Sequence, residues 1–538
     1  MISLFPIVST VLLLFASISS FSQSGQWAWM KGDTSSIYNA FATWGTQGVA
    51  NVANTPAQKY SAYHWQDTAG NFWIYSGITK AGPDSGYNDL WKFDVDLQSW
   101  IWMHGNSTFN SPPVFGIQGI PSPLNTPGFR YFGGLSWTDF DGNFWLYSGT
   151  MGGADLWKYD PAINEWTWMQ GSQSVVLPSF GTYQVASATN TPGWNVESDA
   201  SWVDDQGNLW FFGGSTFGGS SDVLWKYDLG LNQWIWMSGD TTIDALPVYG
   251  TMGVPDPANT PGARRVYCSW KDANGNFMIF GGANLFSSYN DVWKYDLASG
   301  EWTWMSGDSL TDQSSAAGSS CIFSTSTFPG ARFENRARAT DSCGNVWMYG
   351  GHYFGTGSNG DLWNYRSASN DWAWITGSLL NLQHPVFGIN SVPDAQNTPG
   401  QRSGNVMWFD KHGNIWLFAG FGGAFASGKY TNQLWKYIPD AVCMSNACLA
   451  TSVDAAFTEE LKVYPNPSSG IINIEIPSAE SVVIEIRNVL GQLVFSSEEK
   501  NSHGTLKKQI DLSGQTSGIC FLVVKNGEQQ RVKKIFIE

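Results

Sequence analysis

The chain is predicted to be all-β, with six repeated four-stranded sheets closed into one ring and a small β-sandwich after them. Three observations predict this. Aromatic residues make up 15% of the 538 and charged residues only 13%, a balance that a folded chain accommodates by burying large rings between sheets. Three short aromatic patterns recur six times each, in fixed order, between residues 25 and 437. From residue 461 the chain changes to short alternating apolar runs without tryptophan, as a separate small sheet domain would.

The first element is an export signal. Val8 to Ile18 is a short apolar run followed by Ser20-Phe21-Ser22, a small-x-small cleavage pattern before Gln23, so residues 1–22 read as a secretory signal peptide. No Lys or Arg precedes the apolar run, which leaves the α-amino group as its positive charge. No later stretch approaches the roughly 20 apolar residues of a membrane helix, so no transmembrane segment is expected.

Residues 23–440 hold the repeats. Trp-x-Trp-Met/Ile-x-Gly starts at Trp27, Trp100, Trp166, Trp234, Trp302 and Trp372. Gly-Asn before an apolar run has its asparagine at Asn71, Asn143, Asn208, Asn276, Asn345 and Asn414. A third pattern places Trp91, Trp157, Trp225, Trp293, Trp363 and Trp435 one residue before Lys or Asn and two before Tyr or Phe. Successive Trp-x-Trp copies lie 73, 66, 68, 68 and 70 residues apart, the length of one four-stranded sheet plus a long loop. The unit is a propeller blade, and the ring is a six-bladed β-propeller. In one period, Arg130 to Trp137, Asn143 to Ser148, Leu156 to Tyr159 and Trp166 to Met169 supply the four strands, rich in aromatic or β-branched residues and bounded by Gly, Asp or Asn.

The motif order predicts how the ring closes. Trp27 precedes every other motif, and Leu434-Trp435-Lys436-Tyr437 has no Trp-x-Trp after it. Residues 26 to 30 are therefore expected to complete the sheet built from residues 403 to 437, which leaves no open edge between first and last blades.

The apolar run ending in Gly-Gly, then Tyr, then Trp, as in Phe280-Gly281-Gly282, Tyr295 and Trp302, resembles the kelch repeat in all six units. The resemblance implies a propeller related to the central domain of galactose oxidase, without implying a shared activity.

Long connections are expected on one face only, and binding residues concentrate on such loops. Their repeated Asn-Thr-Pro-Gly and aromatic-Gly elements read as folding devices. Arg130, Arg264, Arg332 and Arg402 follow the Pro-Gly turns, with Lys59 and Asn195 in equivalent places. Two roles are open to the arginines: a cationic ring at the channel mouth that binds carboxylates or anionic sugars, or pairing with carbonyls and nearby aspartates that positions the loops. Asp89, Asp155, Asp291 and Asp361 before the third pattern lack the spacing of a calcium loop and are expected to hydrogen-bond the adjacent turn. Twenty-three of the 30 tryptophans fall in the repeated patterns and read as core between blades.

Catalytic signatures are few. His352 and His384 lie on loops around the fifth blade and are the candidate ligand-binding histidines, but two histidines without a third ligand are a weak metal signal. Nucleophile-elbow, zincin and phosphate-loop motifs are missing from the sequence, so no catalytic residue, metal or cofactor is expected. The net charge is -16, and residues 461 to 538 carry 9 Lys+Arg against 8 Asp+Glu, leaving -17 on the rest. An acidic body repels phosphate backbones, so nucleic acid is not an expected partner. Of the six cysteines, Cys443 and Cys448 are near enough in sequence to pair, Cys321 with Cys343 is a second candidate pair, and Cys268 and Cys520 read as buried thiols.

Residues 441–460 read as a linker and 461–538 as a sandwich of about seven short strands, of immunoglobulin-like type. Tyr464-Pro465-Asn466-Pro467, the Leu490-Gly491-Gln492-Leu493-Val494 hairpin and the basic Lys533-Lys534 end resemble the type A sorting domain of the type nine secretion system, with Cys520 where tyrosine is commoner. The resemblance implies passage across the outer membrane by that machinery, removal of the domain, and release or attachment of the propeller at the surface. The whole reads as a non-enzymatic, secreted or cell-surface recognition protein whose long-loop face binds an extracellular glycan or protein. The alternative is a secreted carbohydrate-active enzyme, a metal-dependent oxidase or a lyase, using the same face.

Overall fold

A computed structural model describes residues 25–537 except 35–40, 80–83, 134, 335, 354–356, 380–382, 423–428, 441–442, 445–461, 477–480, 489–491, 501–505, 516–517 and 527–528. The expected signal peptide, most of the linker and the 489–491 hairpin lie outside the described residues. The chain divides into two compact units, Met1–Ala450 and Thr451–Glu538.

Among the described residues the first unit contains six antiparallel four-stranded sheets. The first runs Tyr63–Gln66, Phe72–Tyr75, Leu90–Asp94, Ser99–His104 from inner to outer strand. The second to fifth repeat it, beginning at Leu135–Thr138, Ser201–Val203, Cys268–Lys271 and Arg338–Thr340. The sixth is built from Val406–Phe409, Ile415–Phe418 and Leu434–Ile438, and its outer strand is Gln26–Lys31 from the other end of the chain. Trp27 stands opposite Tyr437 and Trp29 opposite Trp435, which is the pairing the motif offset predicts.

Burial explains why the second strands read as unbroken apolar runs. FWIY, FWLY, LWFF, FMIF, VWMY and IWLF are buried at every position, because each sheet is covered on both faces by its neighbours. Six apolar clusters form between consecutive sheets, and one of them joins the sixth to the first through Phe72, Phe93, Trp408 and Trp416. Inner-strand indoles also tie sheet to sheet. Trp65 Nε1 donates to Trp145 O (3.2 Å), Trp137 to Trp210 O (2.9 Å), Trp202 to Trp270 O (2.8 Å), and Trp408 back to Trp65 O (3.0 Å).

The two faces are dressed differently. On one, short turns are capped by aspartate: Asp67 accepts Asn71 N (2.8 Å) and Trp73 Nε1 (2.9 Å), and Asp139, Asp204, Asp341 and Asp410 do the same in their sheets. On the other, loops between second and third strands bond to the starts of the sheet-to-sheet connections, as Gly86 N to Asn110 Oδ1 (3.2 Å), Ser220 N to Asp244 Oδ1 (2.8 Å) and Ser288 N to Asp312 Oδ1 (2.9 Å).

Each connection then crosses the outer edge of the next sheet. The asparagine of Asn-Thr-Pro-Gly donates Nδ2 to the outer strand's backbone: Asn54 to Trp100 O (2.9 Å), Asn125 to Trp166 O (2.9 Å), Asn190 to Trp234 O (2.9 Å), Asn259 to Trp302 O (3.0 Å) and Asn397 to Trp27 O (2.9 Å). An edge strand whose carbonyls are taken cannot template another strand. The repeated loop element is therefore a cover for the sheet edge.

Among the described residues the second unit has seven strands in two sheets. Lys462–Tyr464, Ile471–Ile476 and Leu506–Asp511 form one, and Leu493–Lys500, Ser481–Asn488, Gly518–Asn526 and Gln529–Ile537 the other. Ile472, Ile474 and Ile510 of the first pack with Ile484, Leu522 and Ile535 of the second in one apolar core.

Candidate functional site

Beneath the connection-bearing face, the predicted arginines form a repeated support. Arg130, Arg264, Arg332 and Arg402 each have 0% exposure. Arg264 is typical: Nη1 donates to Asp291 Oδ1 (2.6 Å) and Gly281 O (3.0 Å), Nη2 to Asp291 Oδ2 (2.9 Å), and Nε to Pro261 O (3.0 Å). One guanidinium thus joins a Pro-Gly turn, the end of the second strand and the start of the third. Arg130 with Asp155 and Arg332 with Asp361 repeat the arrangement, and Lys59 Nζ meets Asp89 Oδ1 at 2.7 Å. Each of these aspartates also accepts the indole N–H of the tryptophan two residues on, at 2.7 to 2.8 Å.

Of the two roles left open for the arginines, the geometry is that of pairing: each guanidinium lies under the loops facing carboxylate or carbonyl oxygens, and none stands open as a member of a cationic ring. Two sheets vary the theme. In the third, Asn195 and Val223 replace cation and carboxylate together. In the sixth, Arg402 meets Gln433 and Thr431 instead of a carboxylate, and burial without a counter-ion draws it down to about 10, still protonated at neutral pH.

Two residues beyond each of these positions the chain reaches the axis. Ser61, Phe132, Glu197, Val266, Glu334 and Gly404 stand there with φ between 51° and 61°, a left-handed conformation that a branched residue such as Val266 adopts rarely. Backbone bonds between sheets hold it: Ser61 N to Gly404 O (3.0 Å), Glu197 N to Phe132 O (2.7 Å), Val266 N to Glu197 O (2.7 Å) and Gly404 N to Glu334 O (3.0 Å). Such backbone strain persists where the surrounding structure over-determines it, commonly at functional sites.

The collar carries unlike side chains. On one side Tyr60 stacks on Tyr430 (5.3 Å between ring centroids) and meets Phe132 and Phe421 edge-on. On the other, Arg265 pairs with Glu197 (2.6 Å), Arg336 with Glu334 (3.1 Å) and Arg338 with Asp199 (2.8 Å). Tyr60 hydrogen-bonds Glu334 across the mouth, and burial followed by that carboxylate pushes its hydroxyl well above the usual phenol range. Burial and the neighbouring Glu334 raise Glu197, and burial raises Asp199. Below lies a cavity of about 260 Å³ lined by His64, Gln66, Arg338, Thr340, Met407 and Phe409. Burial and the charges of Arg338 and Arg336 hold His64 down at about 3, neutral at physiological pH.

His352 is half-buried beside the mouth, packed edge-on against Phe333 and 3.2 Å from Ser358 Oγ, with burial lowering its pKa. His384 is exposed on the connection into the sixth sheet. Among the described residues no cluster of three His, Cys, Asp or Glu is arranged to hold a metal.

The cysteine pairing is a correction. Cys321 is bonded to Cys443 across 122 residues, with Cα atoms 4.9 Å apart, so neither Cys443 with Cys448 nor Cys321 with Cys343 is formed. Cys321 lies on the connection that covers the fifth sheet's edge, where its N–H bonds Trp374 O (2.9 Å), and Cys443 packs into the same core as Trp27 and Tyr437. Cys343 is also disulfide-bonded, Cys448 lies outside the described residues, and Cys268 and Cys520 are buried thiols.

Sequence reasoning missed Tyr60, Glu197, Arg265, Glu334 and Arg336. The available signal was a negative one: directly after Lys59, Arg130, Asn195, Arg264, Arg332 and Arg402 the six repeats stop agreeing, giving Tyr60-Ser61, Tyr131-Phe132, Val196-Glu197, Arg265-Val266, Phe333-Glu334 and Ser403-Gly404.

Comparison with known proteins adds two findings. An endo-acting ulvan lyase of Formosa agariphila is 27% identical over 157 residues, 25% of this chain and 30% of that protein, so the match spans less than a third of the relative. Residues 462–538 match the secretion system C-terminal sorting domain. That tail marks the protein for type IX secretion to the cell surface or the extracellular space.

Proposed function

We propose that the six sheets are the blades of a kelch-type, galactose oxidase-like β-propeller, that the tail is an immunoglobulin-like sandwich, and that the propeller is a recognition module binding a glycan at the axial mouth. The observation that carries this reading is the mouth itself: half-buried Tyr60, Phe132 and Tyr430 on one side and three charge pairs on the other. Aromatic rings offer stacking surface to a sugar ring, and convergent polar groups give orientation, the usual make-up of a small-molecule site. His352 borders this site, while the buried arginines act on it by holding its loops.

A glycan array with the full chain, followed by calorimetry, tests it. Tyr60→Ala and Phe132→Ala are expected to weaken a hit tenfold or more, and equal binding by both variants would move the site elsewhere. The lyase likeness and the Tyr60–Glu334 contact favour one second reading, a secreted carbohydrate-active enzyme. Chain shortening of a bound polysaccharide, followed by size-exclusion chromatography, would establish it; clean binding without shortening supports the non-catalytic reading.

A further inference from the structure

We propose that Arg336 is an oxyanion subsite of the axial mouth, taking a carboxylate or sulfate group carried by the glycan; the inference rests on the reading above and names the ligand's charge. Arg336 is 2% exposed. Its Nε donates to Glu334 Oε2 at 3.1 Å, and its buried Nη2 has no hydrogen-bond partner. A buried donor left unsatisfied is unfavourable, more so when charged, so an acceptor is missing from this site.

Geometry says which acceptor. Arg336 starts on the fifth sheet and reaches the second, which stands opposite it in a ring of six: a Cβ on Gly133 would fall on the guanidinium. Glu334 holds the Nε edge, Nη1 lies against Gly133, and Nη2 is left buried without an acceptor. A guanidinium N–H makes a charge-assisted bond to a carboxylate or sulfate oxygen, the class of acceptor that matches the charge left at Nη2. Tyr60, bonded to the same Glu334, places aromatic surface beside that anion, so one ligand can stack and pair at once. Arg265 and Arg338 differ, since each pairs with a carboxylate through Nη1.

The test titrates the full chain with D-glucuronate, inorganic sulfate and D-glucose, and soaks its crystals in bromide. Glucuronate and sulfate are expected to bind and to raise Tm, glucose at least tenfold more weakly, and anomalous bromide density is expected at Arg336 Nη2. Arg336→Met should abolish the preference for glucuronate over glucose, and Arg336→Lys should retain part of it. Should Arg336→Met fail to fold, bromide in the unsubstituted protein decides alone. Bromide absent from that nitrogen, or glucuronate and glucose binding alike, overturns the subsite. Sulfate binding with glucuronate silent overturns the glycan-borne part. Bromide at Arg336 with no hit on the array would leave the subsite standing and remove the glycan reading of the mouth.

Discussion

Arg264 and Asp291 are both fully buried, and each is the other's counter-charge at 2.6 Å. Removing one partner strands a charge, which costs about 3–5 kcal/mol, whereas removing both is far milder. The third sheet already displays the neutral version, Asn195 with Val223. Asp291→Val alone is therefore expected to lose about 3–5 kcal/mol in urea unfolding, and adding Arg264→Asn to restore most of it; a single variant within about 1 kcal/mol of the parent would contradict this account. Asp222, in that same third sheet, is pushed up to about 6 by burial and by Asp240. Its folded pKa lies above the unfolded value near 3.8, so its contribution to stability is full below pH 3.8 and lost as pH rises through about 6. Asp222→Asn should flatten the stability profile over that window and gain on the parent above it, by about 3 kcal/mol at most; an unchanged profile would exclude the effect. At this scale the repeated arginines and aspartates were legible because repetition marks a shared structural task. Arg336 was not, because Gly133, against which its terminal nitrogens lie, belongs to another sheet's segment and no spacing along the chain predicts that approach.

The sixth sheet depends on an element from the far end of the chain. Gln26–Lys31 supplies its outer strand, buries Trp27 against Tyr349 and Tyr437 (centroids 5.4 and 5.0 Å), and receives the edge cover from Asn397. Deleting residues 25–31 is expected to lower Tm sharply, and a deletion that melts like the parent would contradict closure at this strand. The Cys321–Cys443 bond stabilises the same region, tying the chain just past the last strand to the fifth sheet's edge connection. Closing a loop of more than 100 residues is worth about 4–5 kcal/mol in the chain-entropy account. Cys443→Ser should therefore destabilise the oxidised protein by up to that amount and leave little further response to reductant at this bond, as denaturation with and without dithiothreitol would show. Strand closure was legible because the motifs are offset by one strand. The cysteine pairing was not, since nearness in sequence does not place two Cα atoms within bonding range and the ring brings residue 321 to residue 443.

Across the whole molecule, sheet edges and destination are handled by separate parts. Five asparagine covers occupy the outer strands, and the Gln26–Lys31 strand fills the place that would otherwise be an open edge, so the outer edges of the six sheets present few pairing templates. The tail has its own core around Ile474, Ile484 and Ile535 and matches the sorting family over 462–538. Address and fold were both legible for the same reason: each is written in contiguous motifs. The mouth is written in residues some 65 to 71 apart, at repeat positions where identity changes, so it emerges only when the ring is closed. This division makes a prediction about removal of the tail. A chain ending before residue 462 is expected to fold with the Tm of the parent's first transition, while failing to reach the cell surface or medium when expressed in a type IX-competent host. Fractionation and melting of the retained protein check both halves; surface delivery without the tail, or a first unit that no longer melts cooperatively, would show that address and fold are not independent.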